Sequence, residues 1–388
     1  MIAKKIIGKK ILTFLPIIKK NRLVPMFFRS LVYHHISLLD FRTSIAVNKD
    51  PYNNDVMHSS SYQSNYPYCL GIIKEMWHNH KYFIAACREL NVSYKVIDIS
   101  ESNWIENILE SDCDAFLVRP SVVVSVWKEM YDERIKIIHS ELGKIVYPTS
   151  NELWFFENKR RMYYWLQANR FPIPETNIFY NKEKAISFAE TVSLPIVFKS
   201  TISSGGRGIM VIDKRSKLIN FIRRYFKKGF LPLYHEKKDR EWGNILFQEY
   251  LPNAREWRII RIGDSYFGYE KLCVDGLHSG SGKWKYMRPP DELLNLAKEI
   301  TERGGFTSMD LDIFMTEDGR LLVNELQTYF GTQYKKEMCV VDNKAGRMVY
   351  NSDSNSWNFE AGSFCNNNLC NLRVKTLIKM LDNINLKG

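Results

Sequence analysis

The sequence contains no Cys-x-x-Cys pair, and its seven cysteines (Cys69, Cys87, Cys113, Cys273, Cys339, Cys365, Cys370) are scattered, with no histidine cluster to match. That argues against structural zinc and favours a reducing compartment. No apolar run reaches the ~20 residues that span a bilayer. No small-residue cleavage site follows the apolar stretches near the start, so a signal peptide is not expected either. Acid is scarce in one segment: residues 1–45 hold nine Lys or Arg against the single acid Asp40, and so supply +8 of the net +12. Basic residues interleaved with Ile, Leu and Phe suit an anionic membrane surface, or equally docking on the protein body or a partner. The aromatics there form no stacking platform and the remaining chain is only mildly basic, so no nucleic-acid partner is expected. The location this suggests is cytoplasmic, with peripheral contact at the inner membrane face as the added expectation.

The 388 residues, 45% of them hydrophobic, suit two or three globular domains. Residues 46–66 are polar and turn-rich, so 1–66 reads as a basic extension with a linker. Strands are predicted at 68–73, 94–99, 114–118 and 144–147, alternating with helices near 80–90, 104–110 and 124–142. That alternation implies a small parallel, Rossmann-like α/β sheet over 67–150. No Gly-x-Gly-x-x-Gly follows its first strand, so nothing there asks for a dinucleotide.

The stretch Phe306 to Gly331 reads as two strands around Asp318-Gly319, a two-residue hairpin signal. With those two residues as the loop, paired positions sum to 637, which sets Asp312 opposite Glu325 and Asp310 opposite Gln327, all on one face. Carboxylates opposed across a strand pair repel unless a cation lies between them. A hard cation held by oxygen fits, Mg²⁺ best and Mn²⁺ as the alternative. The competing reading is a solvated acidic face, and a three-residue loop with a bulge would put Asp312 and Glu325 on opposite faces.

A second informative run is Leu194-Pro-Ile-Val-Phe-Lys199 followed by Ser203, Ser204, Gly205, Gly206 and Gly208. A Walker loop puts its glycines first and a helix after its lysine; here the loop joins two strands. Such a loop can fold over phosphates and donate backbone N–H groups, with Lys199 as a point charge. The plainer alternative is a glycine hairpin. Lys159 opens a predicted helix, where the dipole disfavours a cation unless an anion is near. Gln248-Glu249-Tyr250-Leu251 ends a strand before Pro252, and a strand carrying Glu256 and Arg258 follows.

In that order, Lys159, Lys199 with its glycine loop, Gln248 to Leu251, Glu256-x-Arg258, Asp312 and Glu325-x-Gln327 resemble the ATP-grasp superfamily of the carboxylate-amine ligase type. The chain is similar to D-alanine-D-alanine ligase and to the ribosomal-protein glutamate ligases, over roughly residues 68–335. The resemblance implies α/β and α+β architecture: an ATP-grasp domain at 151–335, with a lid at about 175–250 and a large subdomain at about 251–335. A tail with one helix is expected at 336–388. It further implies that Lys159, Lys199, the loop residues Ser204, Gly205, Gly206 and Gly208, and Lys271 contact ATP phosphates. Gln248, Glu249, Tyr250 and Leu251 would read adenine, Glu256 would hold the ribose, and Asp312, Glu325 and Gln327 would hold Mg²⁺. Lys199, Arg258 and Lys271 are the expected catalytic set. Two positions depart from the family: Gln327 stands where Asn is usual, and Asp310 where an arginine is frequent. Arg258 or Arg261 could replace that arginine, or Asp310 could be a further metal ligand.

The activity implied is ADP-forming amide synthesis from a carboxylate and an amine, through an acyl phosphate. With residues 1–45 on a membrane, the expected setting is surface polysaccharide modification, with peptide modification as the alternative. The stretch from Val274 to Arg288 reads either as an acceptor loop or as plain surface. The contrasting reading is a catalytically inactive nucleotide-binding subunit, anchored to a membrane or partner by its basic segment.

Overall fold

The computed structural model describes residues 59–386 except 77, 123, 204–207, 233–237, 273–282 and 331–337. The basic segment 1–45, with its expected membrane or partner contact, lies outside them, as does most of the expected acceptor loop. No helix among the described residues is long and apolar enough to cross a membrane.

The first body is a five-stranded sheet of β1 (Ser61–Tyr62), β2 (Cys69–Ile73), β3 (Ser93–Ile97), β4 (Ala115–Leu117) and β5 (Ile145–Tyr147), in the order β1-β3-β2-β4-β5. β2 runs parallel to β3 and β4, and β4 to β5. Leu70, Ile72 and Ile73 of β2 are fully buried, the near-continuous apolar run expected of a strand covered on both faces. Helices α1 (Lys81–Glu89), α2 (Trp104–Leu109) and α3 (Ser125–Ser140) intervene. The expected start at 67 is too late. β1 lies inside the presumed linker and pairs antiparallel with β3, helped by hydroxyl contacts such as Ser59 Oγ with Tyr94 Oη at 2.7 Å.

Helix α4 (Ser150–Phe155) starts with a Thr149–Glu152 capping box, and α5 (Lys159–Ala168) is capped by Asn158, whose side chain accepts from Arg161 N. Glu152 is buried and also reaches the large sheet, where its Oε1 accepts from Thr307 N at 2.7 Å and Ser308 N at 2.5 Å.

The small sheet holds β6 (Thr176–Phe179), β7 (Ile196–Lys199), β8 (Ile209–Ile212) and β9 (Ile245–Glu249), antiparallel in the order β6-β9-β7-β8. Helices α6 (Lys182–Thr191) and α7 (Arg215–Lys228) back it, over a core that includes Phe198, Phe221, Tyr225 and Phe247.

The large sheet contains β10 (Arg255–Ile262), β11 (Ser265–Lys271), β12 (Trp284–Tyr286), β13 (Ser308–Met315), β14 (Leu321–Gln327), β15 (Val340–Val341), β16 (Lys344–Asn351) and β17 (Ser356–Ala361). Its path is β14-β13-β10-β11-β16-β15, with β12 on β11 and β17 on β16. Leu293, Leu294, Ala297 and Ile300 of α8 (Asp291–Gly304) share a core with Ile259, Leu311 and Ile313. The two-residue period of a strand then sends Glu256, Arg258, Asp310 and Asp312 to the other face. Each buried Leu or Ile contributes roughly 1.5–3 kcal/mol, which anchors a sheet whose second face is charged.

Residues 336–388 are not a tail. β16 joins β11, and α9 (Cys370–Asn385) returns to the first body, where Cys370, Val374, Leu377 and Leu381 share a core with Leu70 and Ile84. Their spacing is an amphipathic helical stripe.

Candidate active site

A cavity of about 460 Å³ lies between the small and large sheets. Val197, Lys199 and Val211 line it from one side, Glu256, Lys271 and Phe314 from the other, and residues 249–254 close one end. Glu256, Lys271 and Asn324 bring the edge of the charged face of β10, β11 and β14 to it.

The hairpin arithmetic holds at the charged end for an unexpected reason. Asp310 pairs with Gln327 and Asp312 with Glu325, but the register shifts by one beyond Asp312, so that Ile313 pairs with Val323 and Met315 with Leu321. The loop is therefore longer than Asp318-Gly319. Thr316 N donates to Arg320 O, and Gly319 sits at φ +84° as three-residue turns require. A bulge at Asn324 inserts the residue that the loop displaced, and the two departures cancel, so the expectation that a three-residue loop with a bulge would part Asp312 from Glu325 fails. The bulge also aims Asn324 into the site, as bulges beside functional sites commonly do. Its Oδ1 accepts from Lys199 Nζ at 2.5 Å and its Nδ2 donates to Glu256 Oε1 at 3.2 Å.

Arg258 grips Asp312 with two hydrogen bonds, Nε to Oδ1 at 2.8 Å and Nη2 to Oδ2 at 2.9 Å, the fork geometry a guanidinium is shaped for. Lys271 donates to the same Oδ2 and, at 3.0 Å, to Glu256 Oε1. Burial alone would raise the Asp312 carboxyl; Arg258 and Lys271 hold it below the ordinary carboxylate range. Asp310 fares differently. Arg258 Nε lies 2.9 Å from its Oδ2, yet both its oxygens are buried without a hydrogen-bond partner. Burial pushes its carboxyl well up against the pull of Arg258, with repulsion from Asp312 adding to the rise. Burial is thus more than offset at Asp312 and not at Asp310, so the two strand neighbours are displaced in opposite directions. Arg261 cannot serve this face: its guanidinium turns to Thr301 of α8 and to Gly263 O.

On the first-body side, Lys159 Nζ donates to Ser203 O at 2.6 Å and lies 3.2 Å from Glu325 Oε1. Burial would lower its pKa, but Glu325 and Glu157 more than offset that and leave it raised. Lys199 has no such excess of acids, and burial brings it down to about 8. Glu325, pushed up by burial, is held below its ordinary value chiefly by Lys159. Gln327 Nε2 donates to Glu325 Oε1 at 2.9 Å, while its Oε1 accepts from Glu157 N at 3.1 Å. It therefore turns its nitrogen, not the oxygen expected of a metal ligand, toward Glu325.

Of the expected glycine loop, Ser204, Gly205 and Gly206 lie outside the described residues. A Cβ at Gly208 would meet Ser200 Cβ at 2.6 Å and Ser203 Cβ at 2.8 Å, so a larger residue here would force its neighbours to shift. Gln248 is buried and its amide donates to Tyr163 Oη and, at 3.1 Å, to Thr176 Oγ1. Glu249 binds Glu175 N through Oε1. Among the described residues, the N–H groups of Tyr250 and Leu251 take part in no backbone hydrogen bond, and both line the cavity. Glu256 lies inside the charged cluster with Lys271 and Asn324.

Sequence reasoning missed Asn324, Tyr163 and the pair Asp239 and Glu241. Asp239 Oδ2 accepts from Ser125 N at 2.9 Å, and Glu241 accepts from Ser200 Oγ at 2.6 Å and Thr201 N at 2.8 Å. One short segment of the lid thus ties the base of the glycine loop to the start of α3 in the first body. No local motif marks it.

Residues 159–238 match the family model described as Carbamoyl-phosphate synthase L chain, ATP binding domain. The biotin carboxylase domain of the Hydrogenobacter thermophilus 2-oxoglutarate carboxylase, solved with MgADP, ADP and bicarbonate, aligns with a TM-score of 0.50 at 14% identity. The alignment covers 71% of this chain and 66% of that one. This chain has the ATP-grasp fold. A RimK domain protein ATP-grasp from Sphaerobacter thermophilus aligns with the ATP-grasp chain at 16% identity and a TM-score of 0.47, over 66% of it and 89% of the other. In sequence, the alpha-aminoadipate–LysW ligase LysX of Sulfurisphaera tokodaii is 25% identical over 183 residues, 44% of this chain and 58% of that protein. The ATP-grasp chain thus matches less than two thirds of that relative's length.

Among the described residues, no group of three His, Cys, Asp or Glu side chains is arranged to hold a metal ion alone. The donors nevertheless fit Mg²⁺ shared with a phosphate ligand. Asp312 and Glu325 offer hard carboxylate oxygens on one face, held at present by Arg258, Lys271 and Lys159.

Proposed function

We propose that the chain is an ATP-dependent, ADP-forming ligase that joins a carboxylate to an amine. One observation carries the reading: Lys199, Glu256 and Lys271 line the cavity, and three buried or nearly buried cations, Lys159, Arg258 and Lys271, pair with Glu325, Asp312 and Glu256 on the adjoining charged face. This apparatus suits spreading charge over a transferring phosphoryl group, a reaction governed by positioning and electrostatics more than by a protein nucleophile.

The substrate carboxylate oxygen attacks the γ-phosphorus, the bond to the β-phosphate oxygen breaks, and ADP leaves. An amine then attacks the acyl carbon, phosphate departs with its bridging oxygen, and the amine sheds a proton to give the amide. Lys159 and Lys199 hold phosphate oxygens, and Arg258 steadies the reacting carboxylate. The Tyr250 and Leu251 backbone faces the adenine edge, and Glu256 lies toward the ribose. Mg²⁺, held through Asp312 and Glu325, neutralises phosphate charge when bound. We extend the proposal to amidation of a uronic acid in surface polysaccharide or aminoacylation of a small peptide, the former suiting a basic segment 1–45 that rests on a membrane.

The test is ADP release by a coupled assay over a panel of carboxylates, with hydroxylamine as the amine and ferric iron to detect hydroxamate. ADP and hydroxamate formed in equal amounts support the ligase. A nucleotide-binding subunit without this chemistry would bind the nucleotide and form neither.

A further inference from the structure

Parallel sheets bind ligands beyond the carboxyl ends of their strands, where the strand order reverses. In the order β1-β3-β2-β4-β5 that point falls between β2 and β4, because the chain moves outward from β2 to β3 and then, on the other side, from β4 to β5. Arg119 stands two residues beyond the end of β4, and Lys81 opens α1, which follows β2.

Arg119 is partly buried, with its guanidinium 5.3 Å over the ring of Tyr329. Among the described residues it makes no hydrogen bond and no ion pair. Arg373 shows what a structural arginine does here. It lies 4.6 Å from the same ring, but its donors are spent on Ser308 Oγ at 2.9 Å and Asn368 O at 3.0 Å. A partly buried guanidinium whose fork of donors is unspent can receive an anion at two donors at once. Nearby Ser121 buries a hydroxyl that lacks a partner. The Lys81 ammonium is lowered to about 8 by burial and then by the charge of Arg119.

Ring contacts connect Arg119 to the charged face of the large sheet. Tyr329 is two residues beyond Gln327, and the ring of Phe330 lies 5.7 Å from the guanidinium of Arg258 and 5.7 Å from that of Arg373.

Resting on the ligase reading, we infer that Arg119, with Lys81 beside it, binds a second anionic group of the acid substrate. The substrate class is then a carboxylate bearing another carboxylate or a phosphate, not a simple monocarboxylate.

Calorimetry on the full chain tests this with glutarate, monomethyl glutarate and inorganic phosphate. Each is titrated with and without Mg²⁺ and β,γ-imido-ATP, into wild type, Arg119→Gln and Lys81→Gln. Glutarate or phosphate should bind wild type at least tenfold more tightly than Arg119→Gln, a loss of about 1.4 kcal/mol, with a smaller loss in Lys81→Gln. Monomethyl glutarate should be indifferent to Arg119→Gln. The better of glutarate and phosphate identifies the second group. Equal affinity in wild type and Arg119→Gln, or no binding of either dianion to wild type, overturns the inference. Binding of the nucleotide analogue is read separately: its failure in wild type overturns the ligase reading, whereas intact nucleotide binding without an Arg119 effect overturns the second anion site alone.

Discussion

Nucleotide binding should draw a proton onto Lys199. Burial lowers this ammonium to about 8, and its nearest acceptor is the neutral amide of Asn324. A phosphate beside it favours the charged form and returns its pKa toward or above the ordinary lysine value. From a free pKa near 8, binding should take up about 0.8 proton at pH 8.5 and only about 0.1 at pH 7, by simple titration. Affinity should be nearly flat below pH 8 and fall towards tenfold per pH unit above it, with a coupling of about 1.4 kcal/mol for each unit the pKa is restored. The sign for the free protein is opposite. A depressed lysine binds fewer protons folded than unfolded between pH 8 and its ordinary value, so this group's contribution to stability rises with pH across that window. Calorimetry at pH 8.5 in buffers of different ionisation enthalpy measures the uptake directly, and Lys199→Met should abolish most of it. Uptake near zero in wild type, or the same uptake in Lys199→Met, would refute the placement of phosphate at Lys199.

Lys271→Met removes an ammonium shared by two buried carboxylates, Asp312 and Glu256, and should cost roughly 3–5 kcal/mol in denaturant unfolding; a loss under 1 kcal/mol would contradict the pairing. Asn324→Ala deprives Lys199 of its close acceptor and should cost about 1–3 kcal/mol, with a larger drop in nucleotide affinity at pH 9 than at pH 7; equal drops would count against the role given to the bulge. Asp239→Ala should speed amide exchange at Ser125 and at Thr201 together while the first sheet stays protected, and unchanged exchange at both would dissolve the tie between lid and first body.

The acidic face was legible because strands alternate sides, so Asp310, Asp312, Glu325 and Gln327 could be placed together from spacing alone. It was legible partly by cancellation: the three-residue turn shifts the register, and the bulge at Asn324 shifts it back. No residue type announces a bulge, so Asn324 went unseen although it contacts both Lys199 and Glu256. Alternation also decides between Arg258 and Arg261, once β13 shows which side α8 covers. Long-range returns were less readable. The stripe of Cys370, Val374, Leu377 and Leu381 says that α9 must be buried but not against which body. Asp239 and Glu241 become informative only when the fold brings Ser125 and Thr201 to them. The two-residue strand β1 is too short to carry a period, and its hydroxyl pairing reads as linker composition.

The most direct measurement is MgATP binding by calorimetry to wild type and Glu325→Ala, each with and without Mg²⁺. Wild type should bind in a magnesium-dependent way, and Glu325→Ala should lose at least tenfold of that dependence, about 1.4 kcal/mol. Equal magnesium dependence in both, or no binding by wild type, would contradict a nucleotide and metal site on the β13–β14 hairpin.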